Sequence, residues 1–400
     1  MSIKGTIDWT GNDYQLRQKI LNAFHDFMYI RGFEMIEPSI LERYELFSRS
    51  VGESSDIMQK ELFFAVSKMK QNLDIVLRPE YTTSIIRTLV EHGHVHDKKI
   101  AYAGKVFRHD RPQKERYREF TQLGCEVFGD DPFIDIEVIL YAVEFLKKYS
   151  HNIKVKINSL GSPGVLEKYK DIVSDFFKQH DIADENSKDI SPIRLIDKMS
   201  PEEKVSYNLP KILDYISNDD KQRFNLVCNE LQKLNVDFSI DPYLVRGLDY
   251  YNQTVFEIEK TDSNNAILGG GRYHGLVKRL GGQDVSGIGW SVGLERILSL
   301  MEYAPNEKIY AIVSINEHSY ALKVANTLQK ELSNADLKFI RTMLIFESNM
   351  KRAMKKVGNI NPDKIIFCGQ EEKNNESISV KDCVTQLQNE YVLKDINKIL

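Results

Sequence analysis

Three arginines stand in settings suited to holding an anion. Arg108 opens the stretch FRHDRPQKERYREF, residues 107–120, in which five Arg or Lys, three Asp or Glu and one His lie between two phenylalanines. Arg246 sits in LVRGLDYY, before a glycine and two tyrosines, and Arg296 follows the glycine-rich GIGWSVG just inside an apparent helix. A guanidinium offers a planar fork of donors that matches phosphate or carboxylate oxygens. A glycine-rich approach ending at a helix N-terminus likewise favours phosphate, or close packing of a flat base. Each has an ordinary counterpart: a solvated charged loop for 107–120 and a structural salt bridge for Arg246. Acceptors complement these donors. In DIVLRPEYTTSIIR, Glu80 and Thr82 could take hydrogen bonds from an ammonium group, while helix capping explains Thr82 equally well.

Other chemistries lack their residues. No G-x-x-x-x-G-K-[ST] is present, and GGGRYHG fails the G-x-G-x-x-G spacing because His274 occupies the third glycine's place. His92, His94 and His96 alternate, but they follow a helical pattern and include a glycine, so a metal reading is disfavoured. No metal site is expected. Cys125, Cys228, Cys368 and Cys383 lack paired short spacings and read as ordinary reduced thiols. A formal net charge of -4, from 54 Lys and Arg against 58 Asp and Glu, argues against whole-surface attraction to a polyanion. Any nucleic-acid contact must use local patches. No apolar run approaches the roughly 20 residues needed to span a bilayer, and the start of the chain has no signal-like core; a cytoplasmic protein is expected.

The elements that position these residues follow from periodicity. Leu16, Ile20, Phe24, Phe27 and Met28 predict a helix over 14–31, ending before Gly32. GFEMIEPSIL reads as a short strand stopping near Pro38. Between Ile100 and Gly129, period-two patterns flank the charged stretch and predict two antiparallel strands. Tyr102, Gly104, Val106 and Arg108 share a face on the first; Gln122, Gly124 and Glu126 share one on the second, while Leu123, Cys125 and Val127 point away. A polar face with a central glycine leaves space above the sheet. Residues 162–237 read as an inserted helical module with an acidic linker, DIADENSKD. Strand patterns resume with YLVRGLDYYNQTVFEIE. After Pro305 strands and helices alternate, ending in a helix, which predicts a small α/β domain.

Taken together, these runs resemble the class II aminoacyl-tRNA synthetases, and within them the histidine-tRNA ligase family, over nearly the whole chain. GFEMIEP, FRHD with the following Phe120, and GLERI are similar to the three class signatures. RPQKERYREFTQLGCEVFG, LVRGLDYYNQTVFE and GGGRYHGLVKRLGG are similar to the histidine-specific segments. The resemblance implies an α+β protein: a class II antiparallel-sheet catalytic domain in two parts (1–161 and 238–304), the helical insertion (162–237), and a C-terminal α/β anticodon-binding domain (305–400). It implies a homodimer with the first signature at its interface. It also implies L-histidine, ATP with Mg²⁺, and the tRNA for histidine as partners, with no membrane role. Histidyl-adenylate and pyrophosphate would form first, followed by transfer of histidine to the tRNA.

By the same resemblance Arg108 and Arg246 are the catalytic residues, and Arg108, Asp110 and Arg296 bind ATP. Glu80, Tyr81, Thr82, Gln122, Glu126, Arg246, Tyr250 and Tyr251 bind histidine. Arg116 is assigned to tRNA, as are Lys351, Arg352, Lys355 and Lys356 on one face of a helix; Lys114 and Arg118 either close over substrate or meet the tRNA acceptor end. Three positions depart from the family pattern. Asp110 stands where Glu is usual, His274 where Asp is usual, and Tyr81 is bulkier than its counterpart. A synthetase-like regulatory protein that binds ATP phosphoribosyltransferase would lack the C-terminal domain and an intact LVRGLDYY, and a plain RNA-binding module would not need Arg108, Arg246, Arg296 and Glu126 together.

Overall fold

The computed structural model describes every residue except 1, 52–54, 56, 67–73, 94, 111–115, 181, 183–191, 249, 263–264, 302–307 and 335–339. His94, Lys114 and most of the acidic linker therefore lie outside the described residues. The chain divides into two compact units, Met1–Glu302 and Tyr303–Leu400.

In the first unit, helix α1 (Gly11–Tyr29) precedes strand β1 (Glu34–Met35), only two residues long. β2 (Leu41–Arg43), α2 (Tyr44–Val51), β3 (Phe63–Phe64) and β4 (Ile75–Leu77) follow, and β2, β4 and β3 form a small three-stranded sheet. Next come α3 (Thr82–Glu91), β5 (Lys99–Phe107), β6 (Glu119–Phe128), α4 (Pro132–Lys147) and β7 (Ile153–Ser159). The inserted module supplies α5 (Val165–Gln179), α6 (Pro192–Lys198), α7 (Pro201–Ser206) and α8 (Asn218–Lys233). The chain returns through β8 (Phe238–Ile240), β9 (Tyr251–Lys260), β10 (Ala266–Tyr273), α9 (Leu276–Arg279), β11 (Gly287–Gly293) and α10 (Leu294–Leu300). Leu244–Leu248 and Tyr250 precede β9 as turn and loop rather than continuing the strand that the pattern of YLVRGLDYYNQTVFEIE predicts.

The large sheet has the order β1-β5-β6-β11-β10-β9-β7-β8. Its six central strands pair antiparallel, and β1 and β8 add in parallel at the two edges. Strand alternation separates its faces. Leu123, Cys125, Val127, Ile288, Trp290 and Val292 join Phe24, Phe27, Ile139 and Phe145 in the main core under α1 and α4. The opposite face carries Tyr102, Gln122, Gly124, Glu126, Gly289 and Ser291, which the register sets side by side: Tyr102 against Gly124, Gly124 against Ser291, Glu126 against Gly289. A buried ion cluster ties this sheet to its helices. Arg272 donates to Asp135 of α4 from Nε at 2.7 Å, both side chains fully buried, while Arg223 of α8 reaches the other Asp135 oxygen at 3.1 Å.

The second unit contains β12 (Lys308–Ile315), α11 (His318–Asn334), β13 (Ile340–Glu347), α12 (Met350–Ile360), β14 (Lys364–Cys368), α13 (Gln370–Asn374), β15 (Ser377–Asp382) and β16 (Gln388–Val392). They form a five-stranded sheet ordered β13-β12-β14-β15-β16, parallel in its first half and antiparallel in its second. The closing segment corrects one expectation. A hairpin strand and a 3-10 stretch, Leu393–Ile399, stand where a final helix was expected, with Leu393, Ile396 and Ile399 buried. Burial spaced by three suits the tighter helix. Among the described residues no helix is long and apolar enough to cross a membrane, and all four cysteines are free.

Candidate active site

Over the polar face, a carboxylate lies on a floor of glycines. Glu126 is 2% exposed. A Cβ on Gly289 would strike its carboxylate, and one on Gly124 would strike the Tyr102 hydroxyl. The glycines thus let polar side chains lie flat on the sheet. Thr82 donates from Oγ1 to Glu126 Oε1 at 2.7 Å, and the Tyr273 hydroxyl donates to Oε2 at 2.9 Å. Burial pushes the Glu126 carboxyl up to about 8; the hydroxyls of Thr82, Tyr273 and Tyr102 oppose that rise without cancelling it. The same burial holds the Tyr102, Tyr250 and Tyr273 hydroxyls protonated as donors. Tyr250 packs on Tyr251 with ring centroids 4.7 Å apart and reaches the Thr82 side chain.

Glu80 occupies the start of α3. Its Oε2 accepts the Thr82 backbone N–H at 2.7 Å and its Oε1 that of Thr83 at 3.0 Å, so Glu80 rather than Thr82 satisfies the exposed amides of the first turn. The capping explanation of Thr82 is thereby displaced, since its hydroxyl serves Glu126. Burial raises the Glu80 carboxyl, and the nearby Arg108 charge counters it. Two accepted bonds leave a carboxylate with further lone pairs to offer.

Gln122 lies on this face, paired in register with Gly104 on one side and Gly293 on the other. Its buried Oε1 has no hydrogen-bond partner among the described residues, nor has the buried Nε of Arg246. A buried polar atom left unpaired is costly in a folded protein. One orphaned acceptor and one orphaned donor suit a ligand carrying both an ammonium and an anionic group.

The arginines are held individually. Arg108 donates from Nε to the Pro79 carbonyl at 2.8 Å and lies 5.5 Å from the Phe120 ring centre. Arg246 pairs with Glu257, and Arg296 donates to the Ala266 carbonyl at 2.6 Å. Asp110 faces exposed Arg116 at 3.5 Å. Arg118 donates from its backbone N–H to the Gly5 carbonyl at 2.7 Å, so the N-terminal segment braces the end of the charged stretch. Tyr81 is packed differently from the other tyrosines. Its fully buried ring stacks on Tyr102 at 4.5 Å and under the Arg78 guanidinium at 4.0 Å, making it part of the wall. His274 turns outward to Asp284 at 3.5 Å.

In the second unit, Lys351, Arg352, Lys355 and Lys356 are exposed on α12, with Lys356 paired to Glu347 at 2.7 Å. Sequence reasoning missed Tyr102 and Tyr273 as partners of Glu126. Tyr102 was already placed on the correct face. Tyr273 was detectable because adjacent strand residues point oppositely: Arg272 anchors below the sheet and Tyr273 must stand above it.

The histidyl-tRNA synthetase family model matches residues 5–297. The chain is 34% identical over 393 residues to the histidine–tRNA ligase of Pediococcus pentosaceus, covering 92% of this chain and 91% of that one. It is 35% identical over 389 residues to that of Dictyoglomus thermophilum, covering 92% and 91%. Its fold is similar to the crystal structure of apo S. aureus histidyl-tRNA synthetase, with a TM-score of 0.75 at 24% identity over 100% of this chain and 99% of that one. The Nostoc histidyl-tRNA synthetase structure is also similar, with a TM-score of 0.73 at 18% identity over 100% and 99%. Matched by that model over most of its length and by these relatives across nearly all of both sequences, the chain belongs to the histidyl-tRNA synthetase family.

Proposed function

We propose that this chain ligates L-histidine to its tRNA in two steps on the glycine-floored face of the large sheet. The observation that carries the residue assignment is the buried carboxyl of Glu126 among three hydroxyl donors, beside the orphaned Gln122 Oε1 and Arg246 Nε. Glu126, Tyr250 and Tyr251 pair with the imidazole nitrogens. Glu80, Thr82 and Gln122 take the ammonium, and Tyr81 shapes the wall behind them. A pocket built to pair both imidazole nitrogens rejects other side chains because they would leave its buried groups unsatisfied.

The histidine carboxylate then attacks the α-phosphate of ATP, displacing pyrophosphate and forming histidyl-adenylate. Direct displacement at phosphorus needs positioning and charge neutralisation rather than a protein nucleophile. Arg108 holds the α-phosphate, Arg246 neutralises charge developing there, Arg296 holds the far end of ATP, and Asp110 lies toward the adenine. Mg²⁺, held by the ATP phosphates and water, would supply further charge neutralisation beside the arginines. In the second step the terminal ribose hydroxyl of the tRNA takes the histidyl group. The second unit reads the anticodon, with Lys351, Arg352, Lys355 and Lys356 contacting phosphates, while Arg116 and Arg118 meet the acceptor end. The working form is a homodimer. Charging of bulk tRNA with labelled histidine tests this reading: ATP-dependent incorporation is expected, and none would overturn it.

A further inference from the structure

Arg246 does not reach its position unaided. It belongs to the loop before β9, yet its guanidinium lies flat on the sheet directly above Gly269 of β10, where any Cβ would collide with it. Gly269 pairs in register with Ser291 on one side and Glu257 on the other. Tyr102, Gly124, Ser291, Gly269 and Glu257 therefore form one row across five strands, with the guanidinium resting on the gap in that row. Glu257 carries the carboxylate that pairs with Arg246 Nη1. Lys156, the register neighbour of Glu257, turns instead to Glu259 at 2.9 Å. Both members of the Arg246–Glu257 pair are only about one-fifth exposed, and for a largely buried ion pair the desolvation cost offsets most of the Coulombic gain to stability. Pairing at Nη1 leaves the buried Nε unpartnered.

We propose that Glu257 and Gly269 are positioning residues for Arg246: the glycine makes room for the guanidinium, and the carboxylate fixes its rotation so that the unpaired N–H edge meets the reacting phosphate and carboxylate oxygens. This rests on the reading of Arg246 as the charge-neutralising residue. Glu257 touches no substrate and acts only through Arg246, so its removal loosens the one arginine needed most in the transition state.

The test is a double-mutant cycle read by histidine-dependent pyrophosphate exchange with the full-length chain. Glu257→Ala is expected to lower kcat by about tenfold or more, less than the roughly hundredfold or greater cost of removing a transition-state charge contact outright, with the KM values of histidine and ATP shifting by less than about threefold. Glu257→Gln, which keeps an acceptor oxygen, is expected to lose less. In the Arg246→Ala background Glu257→Ala should add no more than about twofold, because residues acting as a unit are not additive. Gly269→Ala should reproduce the kcat loss. If that variant or Glu257→Ala fails to fold, the cycle is run with Glu257→Gln. A folded Glu257 variant with unchanged kcat, or full additivity with Arg246→Ala, overturns the proposal. Arg246→Ala with parental activity would instead remove the reading beneath it, and the proposal with it. A parent that exchanges with no amino acid would count against the proposed reaction.

Discussion

The two ends of the site are built in opposite ways. Around Glu126, Thr82, Tyr102, Tyr250 and Tyr273 are buried, and both carboxylate oxygens are already bonded, by Thr82 and Tyr273. At the end proposed to hold phosphate, Arg108, Arg246 and Arg296 are only partly buried and bond to a backbone carbonyl, a carboxylate and another carbonyl. Selection of a rigid aromatic side chain calls for groups fixed in advance by the core. Handling a polyanion calls for guanidinium charge that is held in place yet still reachable from solvent. The imidazole end should therefore govern which amino acid binds, and the phosphate end how fast it reacts.

The largest effect expected from this division is on rate. Arg246→Ala should slow histidine activation by about two orders of magnitude or more, measured as kcat for pyrophosphate exchange, with a smaller change in the KM of histidine. Next, Glu126→Gln should raise the KM of histidine by about 10- to 100-fold, the cost of leaving a buried hydrogen-bonding group mispaired, while the KM of ATP stays within about threefold; equal rises in both would erase the division. At the far end of the scale, neutralising Lys351, Arg352 and Lys355 together should weaken tRNA charging several-fold at low salt, with the deficit shrinking as salt rises, leaving exchange untouched.

Glu126 also makes stability depend on pH. Its folded-state value of about 8 lies above the ordinary 4.5, so between these values the folded chain holds a proton that the unfolded chain has released. Stability from this group is complete below about 4.5 and is lost as pH rises through about 8. The melting temperature of the ligand-free protein should fall across that interval, and Glu126→Gln should flatten the fall. An unchanged slope would place the proton elsewhere.

The sequence makes the glycine-floored hairpin plain because one face is apolar and the other polar, and strand alternation turns that difference directly into geometry. β5 and β6 and their facing residues follow from it. β1 is less legible: the pattern of GFEMIEPSIL fits a longer strand, but it pairs only at Glu34 and Met35 before Pro38 removes a donor. The final segment misled because Leu393, Ile396 and Ile399 look helical, while the five residues before them pair with β15. Glu257 was invisible as a partner of Arg246. Its place beside Gly269 depends on the register of the β9–β10 pair, which shifts between Ala266 and Leu268, and local pattern does not encode that shift. Glu80 was read as a ligand group, yet in the fold it also closes the first turn of α3, a second duty set by the loop geometry around Pro79.

The most direct measurement of the central claim is pyrophosphate exchange by the parent protein with each of the twenty standard amino acids at matched concentration. The account predicts exchange with histidine alone, because only imidazole satisfies the groups gathered around Glu126. Comparable exchange with a second amino acid, or none with histidine, would contradict it.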